Sequence, residues 1–124
     1  MRIDRPAADV YAYASDPANI PTWAPGLGTS IERVGDEWYV GTGDDRVRVS
    51  FAAPNPFGVI DHEVTLPTGE VILIPMRVIP DGDACDVVFT LRRQPAMSDE
   101  DFERDTGLVQ EDLATLKRVL EAAG

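Results

Sequence analysis

The feature that most constrains the fold is a central stretch, from Leu27 to Arg93, in which apolar and polar residues alternate with a period of two. This period is typical of strands that bury one face. Turn-forming residues interrupt the alternation at short intervals, and strands joined by such short links must be antiparallel. The pattern predicts six strands: Leu27–Val34, Glu37–Gly41, Arg46–Ala52, Phe57–Leu66, Glu70–Ile79 and Cys85–Arg93.

The last segment predicts one long amphipathic helix. Ser98 can cap its start, and three acidic residues follow at the positive end of the helix dipole. The apolar residues of this segment recur at helical spacing and form one stripe: Phe102, Val109, Leu113, Leu116 and Leu120. Before the strands, Pro6 and the pair Asp16-Pro17 are typical starts of two short helices.

These elements fit together in one way. A sheet must bury its apolar face, and the only sizeable cover is the last helix, which is only about 10 Å wide. The sheet must therefore curl around that helix and enclose space that side chains need not fill. We expect a single α+β domain over residues 1–124: a curved antiparallel β-sheet wrapped around a long C-terminal α-helix, with two short N-terminal helices and a ligand cavity between sheet and helix.

Charge and composition narrow the class of function. The formal net charge of −11 repels nucleic acid and anionic membrane surfaces, and the longest apolar run is too short to span a bilayer. Because no segment reads as a signal peptide and Cys85 is the only cysteine, we expect a cytoplasmic protein without an intrachain disulfide. One histidine and one cysteine cannot form a zinc site, so we expect no metal and no cofactor.

Strand parity predicts which side chains face the cavity. His62 shares its strand face with apolar neighbours, whereas Asp61 and Glu63 point to the opposite face. The predicted inner surface is therefore apolar, with His62 as its one ionisable group. The candidate ligand-binding residues are Trp23, Trp38, Phe51, Ile60, His62, Ile74, Met76, Phe89, Val109 and Leu113.

Several of these residues have a second interpretation. His62 is either a catalytic acid or base, or a core histidine satisfied by one hydrogen bond, and Asp61 cannot be its partner because adjacent residues of a strand point apart. For Trp23, Trp38 and Met76, plain core packing is the favoured alternative to a role in the pocket. Cys85, among apolar residues, is interpreted as an inert thiol.

Four segments of the chain resemble the SRPBCC superfamily, which includes START domains: Arg5–Tyr11 through Ser15-Asp16-Pro17 to Pro21-Thr22-Trp23, Asn55–His62, Pro75–Val78 and Phe89–Leu91. The resemblance implies the helix-grip fold. It leaves three functions open, since this superfamily includes binders, carriers and enzymes. These are binding of a small, largely apolar ligand (lipid-like or aromatic), a polyketide cyclase/dehydrase-like reaction with His62 as acid or base, and a protein-interaction module similar to Hsp90 ATPase activators.

The resemblance also predicts an exposed strand edge. Such domains open with a full strand, whereas this chain offers only Met1 to Asp4 before the first helix. The stretch from Val87 to Thr90 would then lack a partner, and unpaired edges attract other strands. A homodimer that covers this edge is therefore expected, although the net charge of −11 opposes self-association.

Overall fold

The computed structural model describes residues 1–25, 27–41, 44 and 46–123. The chain forms an α+β domain with eight strands and three α-helices in the described part. The strands are β1 (Arg2–Ile3), β2 (Ile31–Val34), β3 (Glu37–Val40), β4 (Val47–Phe51), β5 (His62–Thr65), β6 (Val71–Ile74), β7 (Met76–Asp81) and β8 (Ala84–Phe89). The helices are α1 (Ala7–Ala14), α2 (Ile20–Trp23), which follows a 3-10 turn at Pro17–Asn19, and α3 (Asp99–Ala123).

The strands form two antiparallel ladders, in the orders β2-β3-β4-β5-β6 and β1-β8-β7. Pro75 separates β6 from β7 because proline has no N–H to donate to a ladder. The residues before β5 connect the two ladders: the Ile60 amide donates to the Met76 carbonyl at 2.9 Å, and the Val78 amide donates to the Gly58 carbonyl at 2.9 Å. Together with the long C-terminal helix, this arrangement confirms the predicted helix-grip fold.

One predicted strand is much shorter than the alternation suggested. Phe57–Leu66 was expected to be continuous, but β5 begins only at His62. The Asn55 side chain explains the difference, because its Oδ1 accepts from the amides of Phe57 (2.9 Å) and Val59 (3.1 Å). A side chain that captures nearby amides in this way favours a turn over a ladder.

The edge of β8 that was predicted to be open is covered as far as Val87. The Val87 amide donates to the Met1 carbonyl at 2.8 Å, whereas the Thr90 amide donates to the Pro75 carbonyl at 2.9 Å on the other side of β8, where β7 lies. Two residues of β1 pair with β8, and the chain ahead of them continues that contact by one more residue. Among the described residues, the first strand offers β8 no partner beyond Val87, and the homodimer stays a prediction.

The α3 helix begins where the sequence predicts. Ser98 Oγ accepts from the Asp101 amide at 3.1 Å, which satisfies one of the free amides of the first turn. Within its apolar stripe, Leu116 and Leu120 are buried, whereas Phe102, Val109 and Leu113 are half-buried. The stripe is thus a packed seam in its C-terminal half and more open in its N-terminal half. In the part of the chain that the structure describes, no helix is long and apolar enough to cross a membrane.

Candidate ligand-binding site

A cavity of about 210 Å³ lies between the sheet and α3, beside the part of the helix whose apolar stripe is only half-buried. The sheet contributes side chains from four strands, and α2 and the residues after it cover one side. Fourteen of the described residues line the cavity: Ile20, Trp23, Ala24, Leu27, Val49, His62, Ile74, Phe89, Leu91, Asp105, Leu108, Val109, Asp112 and Leu113. The predicted space between sheet and helix is therefore present, and its lining is mainly apolar.

Six of the ten predicted ligand-binding residues line this cavity: Trp23, His62, Ile74, Phe89, Val109 and Leu113. The other four lie elsewhere. Ile60 and Met76 are fully buried in the core, and Phe51 packs beside His62 with ring centroids 5.0 Å apart. Trp38 is half-buried and lines, with Phe51, a second and more polar concavity. Its strand, β3, pairs with β2, which is largely exposed, so few residues cover this end of the sheet.

Eight of these lining residues were not among the predicted ones: Ile20, Ala24 and Val49 are buried in the wall, and the more exposed ones lie at the rim. The alternation predicts that a strand starts at Leu27, but this residue lies before β2 and lines the cavity. Asp105, Leu108 and Asp112 occupy one flank of the α3 stripe, at spacings of three and four residues. The same helical periodicity that identified the seam could have identified this flank.

His62 lies deep in the cavity wall and is 6% exposed. Its Nδ1 is 3.1 Å from the Ile60 carbonyl oxygen; because a carbonyl only accepts, Nδ1 carries the proton and donates it. The Nε2 atom makes no hydrogen bond to any residue within the described ranges. Burial lowers the pKa of His62 below its ordinary value, against the opposing effects of the Ile60 hydrogen bond and the Asp61 charge. The imidazole is therefore neutral at neutral pH and offers Nε2 as an acceptor.

Asp61 lies on the opposite face of the sheet from His62, as parity predicts. Its two oxygens accept from the Arg77 guanidinium at 2.9 and 2.8 Å, and Oδ1 also accepts from the Met76 amide at 2.9 Å. The hydrogen bond from Arg77 is the main reason that the pKa of this carboxyl lies below its ordinary value. This carboxylate is occupied and is not oriented to assist His62 as a catalytic partner.

Trp23 supplies the complementary polar atom. The residue is 4% exposed, and its buried Nε1 donor has no hydrogen-bond partner among the residues that the structure describes. Buried donors are nearly always satisfied, so an unpaired indole N–H in a cavity wall is a site at which a ligand acceptor would be stabilising. The buried part of the cavity wall thus includes a free acceptor on His62 and a free donor on Trp23, as far as the described residues show.

Other reactive groups are not gathered at this site. Cys85 is fully buried, and burial raises the pKa of its thiol, which keeps it protonated and unreactive. Among the residues that the structure describes, no three His, Cys, Asp or Glu side chains are grouped so that they could hold a metal ion. The chemistry available in the cavity is apolar contact and hydrogen bonding, with the carboxylates of Asp105 and Asp112 at its rim.

A neutral His62 predicts a pH dependence of stability. Because its pKa is lower in the folded than in the unfolded chain, unfolding takes up a proton as the pH falls below about 6.5, and the free energy of unfolding decreases. Above the pKa that His62 has in the unfolded chain, the imidazole is neutral in both states, and its titration no longer changes the free energy of unfolding. In His62→Phe an aromatic ring still faces Phe51 and Phe89, but it does not titrate. In denaturant titrations between about pH 7 and pH 5, the wild type should lose up to about 1.4 kcal/mol per pH unit more than the variant. If the free energy of unfolding changes equally with pH in the wild type and in the variant, His62 is not a buried neutral imidazole.

Comparisons with known proteins agree with this architecture. No curated protein matches the chain. A family model described as "Polyketide cyclase / dehydrase and lipid transport" matches residues 1–121, and this match also supports the START-like resemblance. Because it covers nearly the whole chain, the protein belongs to the polyketide cyclase / dehydrase and lipid transport family.

Proposed function

We propose that this domain binds a small, largely apolar organic molecule, lipid-like or aromatic, in the cavity between the sheet and α3. The observation that carries the proposal is the cavity wall itself. Apolar side chains face it from both layers, among them Ile74 and Phe89 from the sheet and Val109 and Leu113 from the helix. Pockets of this kind, apolar with a few convergent polar groups, are typical of small-molecule sites.

The size of the cavity limits the ligand. Sites for drug-sized molecules measure roughly 300–1,000 Å³, and this cavity is about 210 Å³. A molecule with one or two rings, or a short acyl chain, is therefore the appropriate scale. Each 100 Å² of apolar surface that such a ligand buries contributes about 2.5 kcal/mol, before the cost of association. We expect affinities near the micromolar range rather than the nanomolar range.

A second candidate function is a cyclase/dehydrase-type reaction, in which His62 would accept a proton through Nε2. The neutral imidazole with a free Nε2 favours it. Against it, the rings packed around His62 belong to Phe51 and Phe89, and the neighbouring carboxylate of Asp61 is engaged by Arg77. General base catalysis needs an oriented base and a route for its proton. Binding is therefore the better supported function. The alternative of a protein-interaction module is less supported, because the grip encloses a cavity rather than a filled core.

Filling the cavity should abolish binding. The neutral two-ring probe naphthylethanol is expected to bind the wild type in a calorimetric titration. Val109→Phe places additional ring atoms in the cavity and should weaken this binding by at least about tenfold, a loss of roughly 1.4 kcal/mol.

The matched control is Val88→Phe, because Val88 lies on the solvent-exposed face of β8. This variant should retain the wild-type affinity. Equal losses in both variants, or no loss in Val109→Phe, would show that the probe binds outside the cavity.

A further inference from the structure

The acidic rim of the cavity points to the class of ligand, an inference that rests on the proposed binding function. We propose that the site prefers molecules with an apolar body and a positively charged end, such as arylalkylamines, over their neutral and anionic analogues. The apolar body would occupy the space beside Trp23 and Phe89. The ammonium group would lie at the rim, beside Asp105.

The first step is the position of the two rim carboxylates. Asp105 and Asp112 are seven residues apart on α3, about 20° short of two full turns and about 10.5 Å apart along the axis. Both line the cavity together with Leu108, whose side chain is 37% exposed. The two acids therefore lie on one flank of the helix, where the cavity meets solvent.

The second step is the charge around them. None of the fourteen side chains that line the cavity is a lysine or an arginine, and the single histidine is neutral at neutral pH. Asp105 makes no ion pair or hydrogen bond within the described residues. Its neighbour Arg104 pairs instead with Asp101, at 3.3 Å. With a net charge of −11 on the whole chain, the rim repels a carboxylate or phosphate and attracts an ammonium group.

The third step is the interior of the site. The Nε2 acceptor of His62 can receive a hydrogen bond from a ligand N–H or O–H group but offers nothing to an anion. The aromatic faces of Trp23 and Phe89 in the same wall favour aromatic and cationic groups. A ligand acceptor could also satisfy the unpaired Nε1 of Trp23. The wall therefore favours an aromatic body, and the acidic rim favours a cationic end.

The test compares three probes that share one ring system and differ at the polar end: naphthylethylamine, naphthylethanol and naphthylacetic acid. Affinities are measured by calorimetry at low ionic strength and near neutral pH. We expect the amine to bind at least about tenfold more tightly than the acid. We expect the alcohol to be intermediate, and added salt to weaken only the amine.

A pair of charge-removing variants locates the effect. Asp105→Asn should lower the affinity for the amine by about three- to fivefold and leave the affinity for the alcohol within about twofold. The matched control is Glu111→Gln, which removes the same charge from an exposed position of α3 outside the cavity lining and should leave the amine affinity unchanged. Equal effects of the two variants would overturn the local role of Asp105.

The remaining outcomes separate this inference from the proposed function. If the alcohol or the acid binds the wild type as tightly as the amine, the cationic preference is wrong and the apolar binding site stands. If none of the three probes binds, both are wrong.

Discussion

Replacing Leu116 by alanine is expected to lower the free energy of unfolding by about 3–5 kcal/mol, among the larger losses for a leucine truncation. Leu116 is fully buried on α3, in the half of the helix that the sheet grips tightly. Removing its side chain deletes buried apolar contacts and leaves a void that the surrounding core cannot collapse to fill. Urea denaturation of the variant and the wild type measures the difference.

Leu108→Ala is the control for this substitution on the same helix. Leu108 is 37% exposed at the cavity rim, and its truncation should cost less than about 1 kcal/mol. Leu113 lines the cavity, so space beside it is already unfilled, and its truncation should cost less than that of Leu116. A loss below about 1 kcal/mol for Leu116→Ala would contradict the packed seam.

Replacing Gly58 by alanine is expected to cost at least about 3 kcal/mol, because two independent penalties combine. Gly58 has a φ of +72°, a conformation that residues with a Cβ rarely adopt. A Cβ at this position would also overlap the carbonyl oxygen of Val78, in the backbone that Gly58 pairs with. The clash falls where the two ladders are joined, so relief would require the junction to open.

Gly82→Ala separates the two penalties. Gly82 has a similar φ of +61°, but a Cβ added there would meet nothing within 4 Å. Its substitution should therefore cost only the conformational strain, about 1 kcal/mol. If thermal and denaturant unfolding show equal losses for the two variants, the close contact at Gly58 is not a determinant of the fold.

The overall architecture could be predicted because each layer has its own periodicity. Alternation in the strands placed His62 inside and Asp61 outside, and the helical stripe identified Leu116 and Leu120 as core. Strand ends were less predictable. The turn centred on Asn55 depends on side-chain hydrogen bonds to backbone amides, which alternation does not reveal. Likewise, alternation does not reveal that the Met1 carbonyl pairs with Val87 and so covers the first residue of the β8 edge that was predicted to be open.

The cavity was harder to predict than the fold. The alternation along a strand predicts the face of the sheet on which a side chain lies. It does not predict whether a helix covers that part of the face. Trp38 and Ile74 both belong to the predicted inner surface, yet only Ile74 lies under α3 and lines the cavity. The rim residues Asp105 and Asp112 were missed for a related reason: acids beside an apolar stripe are also typical of a solvated helix flank.

The most direct test of the account is the behaviour of the two indole N–H signals in a nitrogen-proton correlation spectrum. Trp23 lines the cavity with an unpaired Nε1, whereas Trp38 lies outside its lining; a Trp38→Phe variant assigns the pair. On titration with the neutral probe naphthylethanol, the account predicts that the Trp23 signal shifts in a saturable manner and that the Trp38 signal stays in place. A saturable shift of Trp38 alone, or no shift of Trp23 at saturating probe, would contradict a ligand site between the sheet and α3.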